Sequence, residues 1–531
     1  MPIHKKHKIY PRFATIFLVI PILAIAIIFF AAHIYLVQQG KIANAEGVQR
    51  ASESVSTEVA EQYQSVQPKI ERKFAYYQVQ PYETLDTLSA HFGVSVDNLK
   101  ALNPKPIVTG ETIKIPPIET PFTDQDSSPR SLINQLVITD IGNNTITVTG
   151  NSKLPLIVVN LNDLQIPLTN KGGLIKIGDK KWRLLKNIVF TKNVRINLTG
   201  QTVSELQLLS LPQKPIGLCA QNAEVLIKDT KIDTYDPTTD SVDKTSDDGR
   251  SFIRARSNSR MDIINSDLGF LGRDAPNTTD TAIIKDGGVY GVSWRIPNDT
   301  YGKDIATGWV ENSSFHDNYI GAYTFGASGM MWRGNHFYHN DKYGLDPHDD
   351  SNNALIENNL FEDNGTHGFI MSKRCNFNII RNNISRNNKL HGFMLHESSN
   401  FNIIENNVAD GNYDNVVIYN SNYNIVQNNQ LKNARDSGVR INQNSQLDYI
   451  LGNTITANVR SFLLYDGVNN IYIAHNTAIT TANFLETKSN VSAVVLDSNH
   501  YGPGGIRLGG AINIFETNNI EDKPATNKNK L

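Results

Sequence analysis

The chain has 531 residues, and its 50 lysine and arginine residues nearly balance 52 aspartate and glutamate residues, which leaves a formal net charge of −2. A chain of this length can hold several domains, and a balanced charge gives no support to a nucleic-acid partner. The two cysteines, Cys219 and Cys375, are too few for a disulfide framework or a metal cluster. We expect both to be free thiols.

The N-terminal residues 1–37 combine a basic tip with an apolar run from Phe13 to Ala32. A run of about 20 apolar residues spans the hydrocarbon core of a bilayer, and the basic flank favours a cytoplasmic N-terminus. We therefore predict a single membrane anchor, with the rest of the chain outside the cytoplasm. The alternative is a cleaved signal peptide that ends near Ala45, although the apolar run is long for such a peptide.

Residues 76–118 have the pattern of a compact α+β unit. The segments Tyr77–Leu85, Leu88–Leu99 and Gly110–Pro116 predict a strand, a helix, a glycine turn, a second helix capped by Ser95, and a strand. This stretch resembles a LysM domain along its whole length. The resemblance implies binding to glycans that contain N-acetylglucosamine, such as peptidoglycan. A spacer without sugar binding remains open, because Glu83 stands where the family usually has aspartate.

Four further segments carry no recognisable chemistry. Residues 38–75 are polar with apolar residues at helical spacing and predict a stalk, and residues 119–131 have the composition of a linker. Alternating apolar and polar residues predict a small β-rich unit at 132–184. The C-terminal segment 501–531 is predicted to be partly disordered because of the polar and charged composition of the tail after Glu521.

The largest part of the chain is repetitive. Between about Ile188 and Asn483 the sequence repeats every 22 to 25 residues, and such units bury their apolar faces only when they stack. Asparagine at a repeated corner can bond to the coils above and below and tolerates left-handed backbone. We predict an all-β fold, a right-handed parallel β-helix over 185–500, added to the LysM unit and the transmembrane helix. The marker asparagines are Asn312, Asn335, Asn358, Asn382, Asn406, Asn428, Asn453 and Asn476.

The repeat register places the reactive side chains on one face. Alternation along a strand turns Leu345 and its equivalents inward. Pro347 cannot donate to a ladder, so we expect a kink or a strand end there. The residues predicted to gather on the outer face are Asp346, His348, Asp350, Arg374, His396, Tyr419 and Arg440.

An exposed stripe along a β-helix suits an extended polymer, and Arg374 and Arg440 favour an anionic one. In a polyuronate, C5–H lies next to the carboxylate, and its removal requires a neutralised carboxylate and a base with a pKa near neutrality. We assign His348 as the base, Arg374 as the neutralising cation and Tyr343 as the proton donor on the opposite face of the sugar.

The stretch Tyr343–Asp349 resembles the motif of the mannuronan C5-epimerases, which convert mannuronate to guluronate within alginate. Arg374 stands where the membrane-associated and periplasmic branch of that family places its neutralising arginine. The segments Met261–Gly272 and Tyr290–Trp294 also look like this branch. The resemblance covers roughly residues 185 to 480 and implies a β-helix that epimerises uronate residues within a polymer.

The resemblance implies the same base and neutralising cation, either Tyr343 or a water as the acid, and Asp346 and Asp349 as orienting or binding groups. The chain lacks the Gly-Gly-x-Gly-x-Asp calcium repeats of the secreted epimerases, so we expect no metal and no cofactor. The candidate sugar contacts are Asp349, Asp350, His396, Tyr419, Arg440 and His367, although His367 and His391 recur in equivalent turns, which is typical of structural corners.

Two other functions remain open at this point. A polyuronate lyase would use the same base and the same neutralising cation, and a non-catalytic wall protein would only bind the glycan. The predicted anchor and LysM unit also leave open which uronate polymer is the substrate.

Overall fold

The computed structural model describes residues 56–523, except 213, 248, 274–289, 458 and 481. The predicted anchor at 1–37 and the first part of the predicted stalk lie outside the described residues. Within the described residues, no helix is both long enough and apolar enough to cross a bilayer.

Three long sheets of 15, 15 and 14 strands run along the molecule. Each coil of the chain adds one short strand to each sheet, and almost all neighbouring strands are parallel. Single coils cannot bury their apolar faces, but the stack encloses one continuous core. The predicted parallel β-helix is confirmed.

The first sheet carries the predicted reactive residues. Its strands are Val137–Gly142, Thr145–Thr149, Asn187–Thr191, Gly217–Gln221, Phe252–Arg256, Val292–Arg295, Ala322–Phe325, Leu345–His348, Phe369–Met371, His391–His396, Asp414–Tyr419, Ser437–Asn442, Arg460–Tyr465, Asn483–Thr487 and Ile506–Leu508.

The second and third sheets complete each coil. The second consists of Ile157–Val159, Val194–Thr199, Glu224–Lys228, Arg260–Ile264, Trp309–Glu311, Met331–Arg333, Leu355–Glu357, Ile379–Arg381, Ile403–Glu405, Ile425–Gln427, Tyr449–Leu451, Asn469–Ala474, Val491–Asp497 and Ala511–Thr517. The third consists of Leu174–Gly178, Lys181–Leu184, Glu205–Leu209, Lys231–Tyr235, Asp267–Gly269, Ser314–His316, His336–Tyr338, Leu360–Glu362, Ile384–Arg386, Val408–Asp410, Gln430–Ala434, Thr454–Ala457, Thr477–Ala478, His500–Tyr501 and Ile520–Glu521.

The stack extends beyond the predicted range of 185–500. Ile157–Val159 already pairs with Val194–Thr199, and Ile520–Glu521 pairs with His500–Tyr501. The predicted unit at 132–184 and residues 501–521 of the predicted C-terminal segment therefore contribute strands to the same three sheets. The repeat could not be recognised in the first coils, because the helix Leu161–Asn170 lies within them and interrupts the regular spacing.

Residues 75–115 form the compact unit that the sequence predicted. Ala75–Gln78 pairs antiparallel with Thr112–Ile115, and the helices Leu85–Phe92 and Val96–Leu102 lie between them. Ser95 caps the second helix, because its hydroxyl accepts a hydrogen bond from the Asn98 amide at 3.2 Å. The element order is the predicted one, and glycan binding by this unit stays a prediction.

This unit is docked on the second sheet. Arg260 donates hydrogen bonds to the backbone carbonyls of Ala90 and His91 at 3.3 and 3.1 Å. His91 Nδ1 lies 2.8 Å from Glu224 Oε1, and Ile305 of the β-helix joins the apolar core of the unit. These contacts hold the unit against the stack.

The predicted linker at 119–131 is packed against the same sheet. The ring of Phe122 lies between the guanidinium groups of Arg195 and Arg260, each 3.8 Å from the ring centroid. Its backbone amide donates to Asp262 Oδ2 at 2.7 Å. A short helix, Arg130–Ile133, follows.

The chain before the compact unit lies along the second sheet and is not a free stalk. Residues 56–65 are helical, and Tyr63 is buried with its ring 5.6 Å from that of Tyr472. Further along, Lys73 lies 3.8 Å from the ring centroid of Phe377. An apolar patch on this outer sheet face takes up the apolar stripe of the helix, which explains the difference from the predicted stalk.

At the corners of the coils, two adjacent asparagines divide the roles that the sequence analysis assigned to a single asparagine. One adopts the left-handed backbone, and the next bonds to the neighbouring coils. Asn358 and Asn382 adopt left-handed φ angles of +58° and +55°, whereas Asn359 and Asn383 are buried. Asn359 Nδ2 donates to Asn383 Oδ1 at 2.9 Å, and the same pattern continues from coil to coil. Each buried amide is thus satisfied by its neighbours, which fixes the coil spacing.

The inward residues agree with the predicted register. Leu345, Phe369 and Phe393 are 0% exposed within the core. Cys219 and Cys375, both among the described residues, are buried and form no disulfide, as expected.

Candidate active site

The strand Leu345–His348 is paired unequally on its two sides. It pairs over four residues with Ala322–Phe325 of the preceding coil, but only Leu345 pairs with Phe369 of the next coil. Pro347 lacks an N–H, and its carbonyl accepts from the Ser372 amide at 2.8 Å. The strand continues to His348, whereas the sequence predicted a kink or an end at Pro347.

Asp349 lies between the imidazole of His348 and the guanidinium of Arg374. Asp349 Oδ1 is 3.0 Å from His348 Nδ1, and Asp349 Oδ2 is 3.2 Å from Arg374 Nη2. The side chains of His348 and Arg374 are 35% and 41% exposed. A base candidate and a cation therefore share one accessible patch, as the register predicted.

Two partners compete for His348 Nδ1. The backbone amide of Asp349 lies 2.9 Å away and donates to it, which leaves the proton of the neutral ring on Nε2. A rotation towards Asp349 Oδ1 would instead place the proton on Nδ1 and free the lone pair of Nε2. Asp349 thus offers the imidazole the carboxylate that stabilises a histidine acting as a base.

Arg374 is fixed by two carboxylates of the preceding coil. Its Nη2 donates to Asp350 Oδ2 at 2.8 Å, and its Nε is 3.1 Å from both oxygens of Asp350. Hydrogen bonds to Asp350 raise the pKa of Arg374, so it remains charged. Asp349 and Asp350, predicted as sugar contacts, are engaged with this arginine.

Asp346 is a buried carboxyl next to this patch. It is 2% exposed, and it accepts a hydrogen bond from the Ser372 hydroxyl at 2.5 Å. Burial raises the pKa of Asp346 to about 6, against the opposing effects of His348 and Ser372. The group therefore changes charge close to neutral pH.

Tyr343 lies beside Asp346 on the outer face. Its ring stacks on His367 of the next coil, with centroids 5.2 Å apart and an interplanar angle of 2°. It also packs against the outward but buried side chains of Ile370 and Met394. Burial, together with the charge of Asp346, raises the pKa of Tyr343, so the phenol keeps its proton.

His367 and Arg440, two of the predicted sugar contacts, belong to a mostly buried cluster. His367 is 7% exposed, and its ring lies 4.7 Å from that of His391. Arg440 Nη1 is 3.0 Å from Asp414 Oδ2, and its Nη2 is 3.1 Å from His391 Nε2. Arg440 is thus committed to an ion pair within the protein.

His396 and Tyr419, the remaining predicted contacts, are half-buried and stacked with centroids 4.7 Å apart. His396 Nδ1 is 2.9 Å from the Ser372 carbonyl, to which it can donate. Stacked rings on an open face can pack against the apolar face of a sugar.

The sequence reasoning missed the coils that precede His348. Tyr323 stands opposite Asp346 in the ladder, with its ring 5.6 Å from His348 and stacked on Tyr290 at 3.9 Å. Arg295 pairs with Phe325, which in turn pairs with His348, so these residues occupy the same position in successive coils. The pKa of Arg295 is lowered chiefly by burial and also by neighbouring arginines. Extending the register backward by one period from Asp346 would have found Tyr323.

Across the described ranges, no group of three or more histidine, cysteine, aspartate or glutamate side chains is arranged to hold a metal ion.

A family model described as a right-handed β-helix region matches residues 292–408 and 370–520. The sequence is also similar to mannuronan C5-epimerases. That of Pseudomonas fluorescens is 29% identical over 170 residues, which cover 31% of this chain and 30% of the relative. Mannuronan C5-epimerase AlgG of Azotobacter vinelandii is 39% identical over 66 residues, which cover 12% of this chain and 13% of the relative. The chain thus matches less than a third of the length of these relatives.

Solved structures support the same fold. The periplasmic alginate epimerase AlgG superposes with a TM-score of 0.56 at 18% identity, covering 86% of this chain and 96% of that chain. A double mutant of the periplasmic alginate epimerase AlgG gives a TM-score of 0.55 at 20% identity, covering 70% of this chain and 85% of that chain. The described chain is a right-handed parallel β-helix.

Proposed function

We propose that this protein, a right-handed β-helix related in part of its sequence to mannuronan C5-epimerases, inverts C5 of uronate residues within an anionic polysaccharide. The observation that carries the proposal is the contact series His348–Asp349–Arg374 on the accessible face of the first sheet. A proton acceptor, its carboxylate partner and a permanent cation are the groups that C5 abstraction requires.

The first step is removal of the C5 proton by Nε2 of His348, in the tautomer whose Nδ1 proton is donated to Asp349 Oδ1. The electron pair of the C–H bond moves into the sugar carboxylate, which acquires a second negative charge. Asp349 Oδ1, 3.0 Å from Nδ1, then stabilises the imidazolium that forms.

The second requirement is a cation for the growing charge of the sugar carboxylate. Arg374 meets it by exchanging part of its contact with Asp349 and Asp350 for the substrate, since guanidinium groups bind carboxylates through paired hydrogen bonds. The two aspartates keep the arginine oriented before the sugar arrives. The pKa of Asp346 is about 6, and its protonated form is uncharged and so does not repel the anionic substrate.

The third step is delivery of a proton to C5 from the opposite face. Tyr343 retains its proton at neutral pH because burial raises its pKa, and it is the donor. His396 and Tyr419 provide stacking contacts for neighbouring sugars along the coils. If O4 leaves before reprotonation, the same intermediate gives a lyase product.

The rest of the chain supplies location. We assign the apolar run at 13–32, which lies outside the described residues, as a membrane anchor that leaves the β-helix extracytoplasmic. The unit at 75–115 serves to bind a wall glycan that contains N-acetylglucosamine. Both assignments support an enzyme that acts on a polymer within the cell envelope.

The test is proton NMR of polymannuronate incubated with the protein in heavy water. We expect deuterium at C5 together with guluronate signals from the parent protein, and neither from His348→Ala, because loss of the base costs about 10²- to 10⁴-fold.

His339→Ala is the matched control, because His339 is an exposed histidine in a turn away from the first sheet and should leave turnover unchanged. Unsaturated products that absorb in the ultraviolet, without guluronate, would establish a lyase. Binding of the polymer without C5 exchange would overturn the enzymatic proposal.

A further inference from the structure

Three rings from successive coils form a column that ends at the proposed proton donor. Tyr343 stacks on His367, and His367 stacks on His391, with interplanar angles of 2° and 13°. Near-parallel rings at these distances restrict one another's rotation. The orientation of the Tyr343 ring therefore depends on the coil that follows it.

The far end of the column is fixed by a buried ion pair. The His391 amide is 3.3 Å from His367 Nδ1, to which it can donate, and His391 Nε2 lies 3.1 Å from Arg440 Nη2. Arg440 is in turn held by Asp414, which is 0% exposed. The end of the column distant from Tyr343 is therefore held in place by buried side chains of the β-helix.

Burial favours the neutral form of both histidines. Burial lowers the pKa of His367 to about 3 and that of His391 to about 2, and the charge of Arg440 acts in the same direction. A neutral imidazole beneath Tyr343 does not stabilise the phenolate, whereas an imidazolium would. The stacked histidines therefore orient the Tyr343 phenol without making it more acidic.

We infer that His367 is a positioning residue, which holds the Tyr343 hydroxyl by ring stacking at the sugar face opposite His348 and so decides whether the C5 anion is inverted. The inference rests on the proposed function. It gives His367 a role through Tyr343 in place of the direct sugar contact that the sequence suggested.

The C5 anion has two fates, and heavy water distinguishes them. A deuteron from Tyr343 gives guluronate, whereas return from His348, after the imidazolium has exchanged the abstracted proton for a solvent deuteron, restores mannuronate labelled at C5. The ratio of C5-deuterated mannuronate to guluronate thus reports the position of the donor. Because both products come from the same folded molecules, the ratio does not depend on how much protein is folded.

The experiment measures this ratio by NMR for the parent protein and for variants of the column. In His367→Ala the ring is lost, and we expect the ratio to rise about tenfold, since a small misplacement of a reacting group costs up to about 10²-fold. In His367→Phe the ring remains, and the ratio should stay within about twofold of the parent value. His391→Ala removes the support below and should shift the ratio in the same direction by less.

Phe377→Ala is the matched control. Phe377 stacks on Phe401, with ring centroids 5.2 Å apart, in a separate row of rings at another corner of the coils. Its loss weakens the stacking between coils there and leaves the Tyr343–His367–His391 column unchanged. We expect no change in the ratio.

An unchanged ratio in His367→Ala would overturn the inference, as would a rise of equal size in His367→Phe, which would exclude ring stacking as the cause. A parent protein that incorporates no deuterium at C5 would instead refute the proposed function itself.

Discussion

Two successive coils, 343–366 and 367–390, share one backbone plan and differ in chemistry. Leu345 and Phe369 occupy paired inward positions and are both 0% exposed. One position further along, Asp346 of the first coil corresponds to Ile370 of the second. The inward and corner residues are therefore equivalent in the two coils, whereas the outward carboxyl of Asp346 is replaced by an apolar side chain in the second coil, whose own outward charge, Arg374, lies further along.

The difference shows that scaffold and chemistry use separate sets of positions in this fold. Inward residues and corner asparagines determine how a coil stacks, and they recur. Outward residues contribute less to stacking and can change from one coil to the next. Substitutions at exposed outward positions should therefore alter activity with little change in stability, and substitutions at corners should do the opposite.

The largest effect is expected from Arg374→Lys, which alters the reactive patch alone. An ammonium group cannot make the paired hydrogen bonds of a guanidinium, so we expect about a 10²- to 10³-fold loss of kcat/KM. The free energy of unfolding should change by less than about 1 kcal/mol, because the ion pair is partly exposed. Initial rates of guluronate formation and thermal melting measure the two quantities.

Arg381→Lys is the control for that prediction. Arg381 forms a comparable pair with Glu357, at 2.7 Å and 40% exposed, on the second sheet, and its substitution should leave kcat/KM unchanged. Equal losses in both variants would show that Arg374 has only a structural role.

The next effect concerns the scaffold and is the converse experiment. Asn383→Ala removes the oxygen that accepts from the backbone amide and from Nδ2 of Asn359. The backbone N–H of Asn359 and one of the two N–H bonds of its side-chain amide then lack an acceptor, which costs about 4 kcal/mol of unfolding free energy. Urea denaturation measures the loss, and the rate per folded molecule should not change.

The neighbouring Asn382 provides the matched comparison. It has a φ of +55°, which glycine adopts readily, so Asn382→Gly should shift the urea midpoint little. If Asn383→Ala unfolds at the same urea concentration as the parent protein, the hydrogen bonds between buried corner asparagines do not stabilise the stack of coils.

The smallest effect is a pH dependence that belongs to the reactive coil. Burial raises the pKa of Asp346 from an unfolded value of about 3.9 to about 6 in the folded protein. The stability contributed by its protonated form is fully present below about pH 3.9 and is lost as the pH rises through about 6.

Asp346→Asn should therefore be more stable than the parent by up to about 3 kcal/mol near pH 7, and the difference should vanish near pH 4. Unfolding free energies at both pH values test this. If the two proteins lose stability in parallel between these pH values, the burial of Asp346 does not control its ionisation.

The fold could be predicted from the sequence because its determinants recur. The asparagine spacing and the alternation around Leu345 appear in many coils, and one local pattern fixes the geometry of the whole stack. The proximity of His348 and Arg374 followed from the same period. That the motif is catalytic remains a proposal.

Other features could not be predicted because they depend on single contacts. Nothing local in the sequence indicated that Asp349 would connect His348 with Arg374, or that Arg440 would be bound by Asp414. The docking of Tyr63 on Tyr472 joins residues far apart in the chain. Such contacts occur once, and a repeat-based argument has no information about them.

The path of residues 56–74 has a mechanical consequence. Thr57 contacts Thr517 in the last strand of the second sheet, whereas the unit at 75–115 is docked near Arg260, ten strand spacings away. A force applied between the chain at Thr57 and that unit would act along the stacking axis, in the direction of the hydrogen bonds between neighbouring strands of the second sheet. The first sheet, which carries His348 and Arg374, lies on a different side of each coil and makes neither of these two contacts.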